Sequence, residues 1–297
     1  MRSSGGGLQR TDVPSFQRAL LSWYQARSRT LNLRSTHDPW AILVSEVMAQ
    51  QTQIARVDQA WSEFMRRFPT SRALARASSA AVLRAWAGLG YNRRAISLQR
   101  AARMIEADHG GQVPDDVEAL EALPGVGPYT SRAVAAIAFG RPVAAVDTNV
   151  RRVVTRVLGR LPSGAELQLA ADELVYQPDP TTWTHASMEL GATVCTSRRP
   201  FCPTCPVARW CASAGSVRSP APNRDRRKLP FEQTTRWLRG RIIEHLRKID
   251  DDAWLELPGS LGAHGPTEIA AAVAALERDG LLEVGPDGWV RLPSATR

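Results

Sequence analysis

From Pro14 to Gly215 apolar residues recur at three- and four-residue intervals, and strict alternation is scarce, so the pattern predicts an all-α region. Pro14, Pro39, Pro69, Pro114, Pro124 and Pro142 fall between its periodic segments and mark helix boundaries. Trp40, Leu43, Val44, Val47 and Met48 share one helical stripe. Glu46 lies off it, with Gln50 and Gln53 following at i+4 and i+7 on the same face. Two further helices are expected over 115–123 and 130–139, with Leu-Pro-Gly-Val-Gly between them. A short apolar, strand-like run ends at Asp147-Thr148-Asn149, and a helix follows. Beyond a polar, arginine-rich stretch the pattern resumes. Leu238, Ile242 and Leu246 share a face within 234–248, and Ile269, Val273 and Leu276 within 266–280. Residues 281–292 read as a hairpin around Pro-Asp-Gly. Helices followed by a hairpin predict a small C-terminal winged-helix-like α+β module.

The pattern divides the 297 residues into an unstructured start (1–13), a large helical domain (14–215), a basic linker (216–233) and the module (234–297). Net charge is +9, which favours a polyanionic partner. No apolar run is long enough to cross a bilayer. The first ten residues, MRSSGGGLQR, lack the apolar core of a secretory leader, so the expected location is cytoplasmic.

The four cysteines, Cys195, Cys202, Cys205 and Cys211, are spaced C-x6-C-x2-C-x5-C. Disulfides do not suit a chain of this size without a leader. Zinc sites usually recruit two tight pairs, and only one is present here. The spacing favours a 4Fe–4S cluster, with structural zinc as the alternative.

Gly125 and Gly127 permit backbone geometry closed to other residues and leave amide N–H groups exposed beside a helix N-terminus, a concavity suited to phosphate. Leu-Pro-Gly-Val-Gly between helices is the pattern of a helix–hairpin–helix, which grips DNA backbone without reading sequence. Asp147 has two readings: an ordinary N-cap, or a carboxylate kept ionised by the helix dipole. Glycosidic cleavage needs an acid that protonates the leaving group and an anion that stabilises an oxocarbenium-like sugar. Glu46 and Asp147 are candidates for that pair. A solvated polar face is the alternative for Glu46.

SEVMAQQTQ, GLGYNRRA, LPGVGPYT, VDTNVRRV and MELGATVC, with the cysteine loop, together resemble the helix–hairpin–helix DNA glycosylases that carry an iron–sulfur cluster, and within them the adenine DNA glycosylase (MutY) family, over about residues 14–212. The resemblance implies a DNA-gripping helical barrel over about 34–141 and an iron–sulfur subdomain from 14–33 plus 142–215. It implies a monomer acting on double-stranded DNA, flipping out adenine mispaired with 8-oxoguanine or guanine and removing it. Glu46 then matches the general acid at N7 of adenine. Asp147 matches the carboxylate that stabilises the sugar cation and bonds to it transiently. Tyr129 and Asn149 match residues that assist. Gln51 and Tyr91 match groups that wedge into the duplex, with Leu89 alongside. Thr52 matches a contact to the oxidised guanine, and Arg34 an arginine beside the adenine pocket. Gln50, Gly125 and Gly127 complete the expected DNA-binding set. Tyr129 stands where a strand-cutting branch has lysine. Without an amine nucleophile, little lyase activity is expected.

The chain departs from the family's pattern at Leu33, Ala49 and Asn92 and places His185 where some relatives have glutamate near the adenine. Residues 234–297 are too short, and differently patterned, for the Nudix-like domain typical of the family. Relaxed base choice follows as an alternative, with thymine or uracil opposite guanine as substrate. A non-catalytic iron–sulfur DNA-binding protein is the other, and the presence of both Glu46 and Asp147 argues against it.

Overall fold

The computed structural model describes residues 8–216, 229–250 and 253–294. In chain order its α-helices are α1 (Val13–Arg27), α2 (Pro39–Ala49), α3 (Ile54–Arg67), α4 (Ser71–Arg76), α5 (Ser79–Ala85), α6 (Arg93–Asp108), α7 (Val117–Ala122), α8 (Pro128–Phe139), α9 (Thr148–Leu158), α10 (Gly164–Asp172), α11 (Pro180–Thr193), α12 (Thr235–Leu246) and α13 (Pro266–Arg278). Two short strands follow, β1 (Glu283–Val284) and β2 (Val290–Arg291). The all-α expectation holds for the large region, and the α+β expectation for the C-terminal module. Of the stretch expected to be unstructured through residue 13, residues 1–7 lie outside the described residues, while Arg10–Asp12 form a 3-10 turn and α1 starts at Val13. Most of the expected linker lies outside the described residues, and Phe231–Gln233 within it form another 3-10 turn.

The chain forms two compact units. The first takes the described residues of Met1–Ile42, Asp115–Glu121 and Val126–Pro222. Its core joins Phe16 and Leu20 of α1, the valines 150, 153, 154 and 157 of α9, and Trp183, Ala186 and Leu190 of α11. Phe16 meets Trp183 and Trp210 with ring centroids 6.3 and 5.9 Å apart. Burying one such side chain contributes roughly 1.5–3 kcal/mol. Helices α9 and α11 cross closely because residue 191 is glycine: a Cβ there would lie 2.6 Å from the Cβ of Asn149. The strand-like run before Asp147 pairs with no strand. Asp172 Oδ1 accepts from the Ala144 amide (2.8 Å) and Gln168 Nε2 donates to the Ala144 carbonyl (3.0 Å), so side chains do the work of a partner strand.

The second unit takes the described residues of Leu43–Pro114, Ala122–Gly125 and Asn223–Arg297. Helices α4 and α5 pack on α6, whose buried Gln99 donates to the Ala77 carbonyl (2.7 Å) and accepts from Ser79 Oγ (2.9 Å). Thr70 and Ser78 cap α4 and α5. The C-terminal module belongs to this unit. Helices α12 and α13 pack through Leu238, Ile242, Leu246, Ile269 and Leu276. β1 and β2 pair antiparallel, Glu283 with Arg291 and Val284 with Val290. Val290 also bridges Leu255, giving the winged-helix-like arrangement.

Candidate active site and nucleic-acid interface

Helix α2 is buried on all sides from Trp40 to Met48, where the periodicity predicts a stripe. Glu46 is 9% exposed, so its carboxyl stands on an enclosed face and the solvated-face alternative is excluded. The helix stops at Ala49, short of the expected register through Gln53. Gln51 takes φ +56°, and Gln53 becomes the N-cap residue of α3. Turning the chain there sets Gln50, Gln51 and Thr52 in a tight loop. Gln50 Nε2 donates to the Gly125 carbonyl (3.1 Å), which ties that loop to the hairpin turn.

The two hairpin glycines differ. Gly125 has φ +83°, and a Cβ there would fall 2.7 Å from Ser97 Cβ on α6. Gly127 has φ −105° and ψ −178°, extended backbone that any residue adopts, with open space where a Cβ would stand. The expectation of special backbone geometry at both is corrected to Gly125 alone. Gly127 is the N-cap residue of α8 and carries no capping side chain of its own.

Tyr91 lies in a loop of left-handed residues: Gly88 (φ +81°), Gly90 (+68°) and Tyr91 itself (+45°). For a bulky side chain that conformation is strained, and such strain collects at functional positions. Arg94 anchors the loop. It donates to the carbonyls of Val47 (2.9 Å), Met48 (2.7 Å), Leu89 (3.1 Å) and Gly90 (3.0 Å), and to Thr52 Oγ1 (3.0 Å). Burial lowers its pKa to about 10. Leu89, expected beside the wedge, is 3% exposed: its side chain packs inward and only its carbonyl serves the loop.

In the first unit Asp147 is the N-cap residue of α9. Oδ1 accepts from the amides of Asn149 (2.8 Å) and Val150 (2.6 Å), and Oδ2 from Asn149 Nδ2 (2.7 Å). Three donors fix the carboxylate, which caps α9 as its residue type predicts. Asn149 is held in turn by Arg152 Nη2 (2.9 Å), which also donates to the Gly191 carbonyl (2.6 Å). Tyr129 Oη reaches Met188 Sδ at 3.7 Å.

Arg34 belongs to a cluster that sequence reasoning did not assemble. Glu189 on α11 is 1% exposed and accepts from Arg29 Nε (2.6 Å), Arg29 Nη2 (2.9 Å) and Arg34 Nη2 (2.8 Å). Burial acts to raise the Glu189 pKa, but the hydrogen bonds from the two arginines overcome it and the net shift is downward. Tyr24 packs its ring 5.8 Å from the Arg34 guanidinium. Burial, and then the Arg34 charge, lower the His185 pKa to about 4, so its imidazole is neutral at physiological pH.

The four cysteines form no disulfide among the described residues and line one cavity together with Arg156. Four thiols on one cavity are a donor set that fits a 4Fe–4S cluster, which takes one thiolate at each iron. Burial pushes the Cys205 thiol up to about 11. Arg156 Nη1 approaches Cys195 Sγ at 3.2 Å, and Arg152 Nε donates to the Cys195 carbonyl (2.7 Å). The cysteine loop is thus docked on α9, the helix that Asp147 caps.

A family profile described as HhH-GPD superfamily base excision DNA repair protein matches residues 44–174. The chain belongs to that family of DNA base excision proteins. Within it the chain groups with the adenine DNA glycosylases. It is 44% identical to the adenine DNA glycosylase of Mycobacterium tuberculosis over 92% of each chain. It is 43% identical to that of Homo sapiens over 69% of this chain and 40% of the human one. The solved structure of a thermostable thymine-DNA glycosylase superposes with TM-score 0.65 at 27% identity, covering 70% of this chain and 98% of that one. No helix among the described residues is long and apolar enough to cross a membrane.

Proposed function

We propose that this chain is a monofunctional adenine DNA glycosylase that excises adenine mispaired with 8-oxoguanine or guanine in duplex DNA. The observation that carries the reading is kinship with adenine DNA glycosylases along nearly the whole chain. A buried Glu46 and a carboxylate at Asp147 that accepts three hydrogen bonds support it. Glu46, protonated, delivers its proton to N7 of the extruded adenine. The C1′–N9 bond then breaks with its electron pair going to the base, and a cationic sugar remains. Asp147, hydrogen-bonded to Asn149 and two amides, stabilises that cation until water adds at C1′ and gives its proton to the Glu46 carboxylate. Adenine and an abasic site are the products. Tyr129 assists without forming an imine, so strand cleavage is minor.

The N-terminus of α8 and the hairpin at Gly125 receive backbone phosphate. Gln51 and Tyr91 enter the duplex, Thr52 faces the opposite base and Arg34 borders the pocket. Cys195, Cys202, Cys205 and Cys211 would hold a 4Fe–4S cluster, which would tie their loop together and supply no group to bond cleavage. Purified protein should contain about four irons per chain and absorb in the blue. Colourless protein with stoichiometric zinc would overturn the cluster assignment.

A panel of A:8-oxoguanine, A:G, T:G and U:G duplexes tests the function. Excision is expected on the first two. Inactivity on both, with activity on T:G or U:G, would move the chain to the mismatch alternative. Glu46→Gln should slow single-turnover excision by about 100-fold or more. An unchanged rate removes Glu46 as the acid. Strong covalent trapping by borohydride would contradict the monofunctional reading.

A further inference from the structure

The C-terminal module is fastened beside Tyr91. Arg247 on its α12 side donates to Asn92 Oδ1 (2.9 Å) and to the Leu83 carbonyl (2.9 Å). Arg84 on α5 donates back to the carbonyls of Arg247 (3.3 Å) and Ile249. The Ala80 amide donates to the Pro293 carbonyl (2.9 Å). Asp279, after α13, pairs with Arg93 of α6 (3.4 Å) and with Arg239. These contacts flank one loop, and Arg236 of α12 lies directly over it. Its guanidinium stands 4.0 Å from the Tyr91 ring centroid, with Phe231 at 5.8 Å. Arg236 and Phe231 are exposed, and Tyr91 is 38% exposed, so ring and guanidinium form an accessible stack. Exposed aromatic rings interleaved with arginine suit nucleobases and DNA backbone.

We propose that Arg236 is a positioning residue for Tyr91, and that the module makes the enzyme selective for damaged over matched duplex by holding that ring ready to insert. The inference rests on reading Tyr91 as a duplex wedge. A planar guanidinium against the phenol face restricts the ring to few orientations before DNA arrives, so less ordering remains for binding. Asn92 fits the same scheme. Its side chain accepts from Arg247 and locks the loop to the module.

A double-mutant cycle tests the proposal. Dissociation constants are measured for the native chain, Arg236→Ala, Tyr91→Ala and the double variant, on a duplex with A:8-oxoguanine and on its matched counterpart. Arg236→Ala should weaken lesion binding about 3- to 10-fold, from the size of a cation–π stack, with a smaller effect on matched duplex. In the Tyr91→Ala background the same change should cost less than about 2-fold. Arg236→Lys, which keeps charge and loses the plane, should not restore binding. A 2-aminopurine base beside the lesion should show a weaker fluorescence rise with Arg236→Ala at saturating protein. Equal losses on both duplexes, or in both backgrounds, or full rescue by lysine, would make Arg236 a plain phosphate contact and overturn the proposal. If Tyr91→Ala binds the lesion like the native chain, the wedge reading itself fails, an outcome distinct from an inert Arg236.

Discussion

His185 stands one helical turn before Glu189 on α11, and the two titrate in different windows. Burial and Arg34 put the folded His185 pKa at about 4, below the unfolded value near 6.5. The unfolded chain therefore takes up the proton first as pH falls. The stabilisation is complete above about pH 6.5 and is lost as pH drops towards 4. His185→Gln should flatten the stability profile across that window in urea unfolding. An unaltered slope would mean that the imidazole is charged in the folded protein. Glu189 has a lowered pKa as well, so its contribution persists to lower pH. Glu189→Gln leaves Arg29 and Arg34 without their shared anion and should cost about 2–4 kcal/mol at neutral pH, read by the same method. The capping role of Asp147 and the grouping of the cysteines were legible because each carries its meaning locally, in cap chemistry or in spacing. Glu189 was not. Arg29 and Arg34 lie 160 and 155 residues away along the chain, and a lone carboxylate in MELGATVC looks like any helix-face glutamate.

Helix positions could be read more fully than helix contacts. Periodicity located α12 and α13, and the hairpin between β1 and β2 followed from Pro-Asp-Gly, with Gly288 at φ +78°. The end of α2 was misplaced because the helical register continues through Gln50 and Gln53, while Arg94, more than forty residues on, captures the carbonyls of Val47 and Met48. The run before Asp147 looked like a strand because it is apolar, yet Asp172 and Gln168 of α10 satisfy the Ala144 backbone instead. Gly191 shows the same limit. In sequence it is one small residue in a helix; in the fold it allows α9 and α11 to meet at Asn149. Gly191→Ala should push Asn149 away from Asp147, costing about 1–3 kcal/mol by overpacking. Single-turnover excision should fall at saturating enzyme. A normal rate with lowered stability would show that α9 shifts as a body and keeps its cap intact.

At the scale of the whole molecule the excess of cations should govern association with DNA and show itself as salt dependence. With net charge +9, association with duplex should weaken steeply as salt rises, by about 0.9 in log–log slope for each phosphate neutralised. Arg198 and Arg199 are exposed in the cysteine loop, whereas Arg209 lies with its guanidinium 3.7 Å from the Trp210 ring. If the loop meets DNA, the double variant Arg198→Ala, Arg199→Ala should reduce the slope by about 1–2 and weaken matched and lesion duplexes by the same factor. Titrations at several salt concentrations read both quantities, and an unchanged slope would remove the loop from the interface. Arginines of the two kinds should therefore separate in one experiment. Those that neutralise phosphate change the slope and ignore the lesion. Arg236, set on an aromatic ring, should change discrimination between lesion and matched duplex with little effect on the slope, because positioning Tyr91 requires its shape as well as its charge.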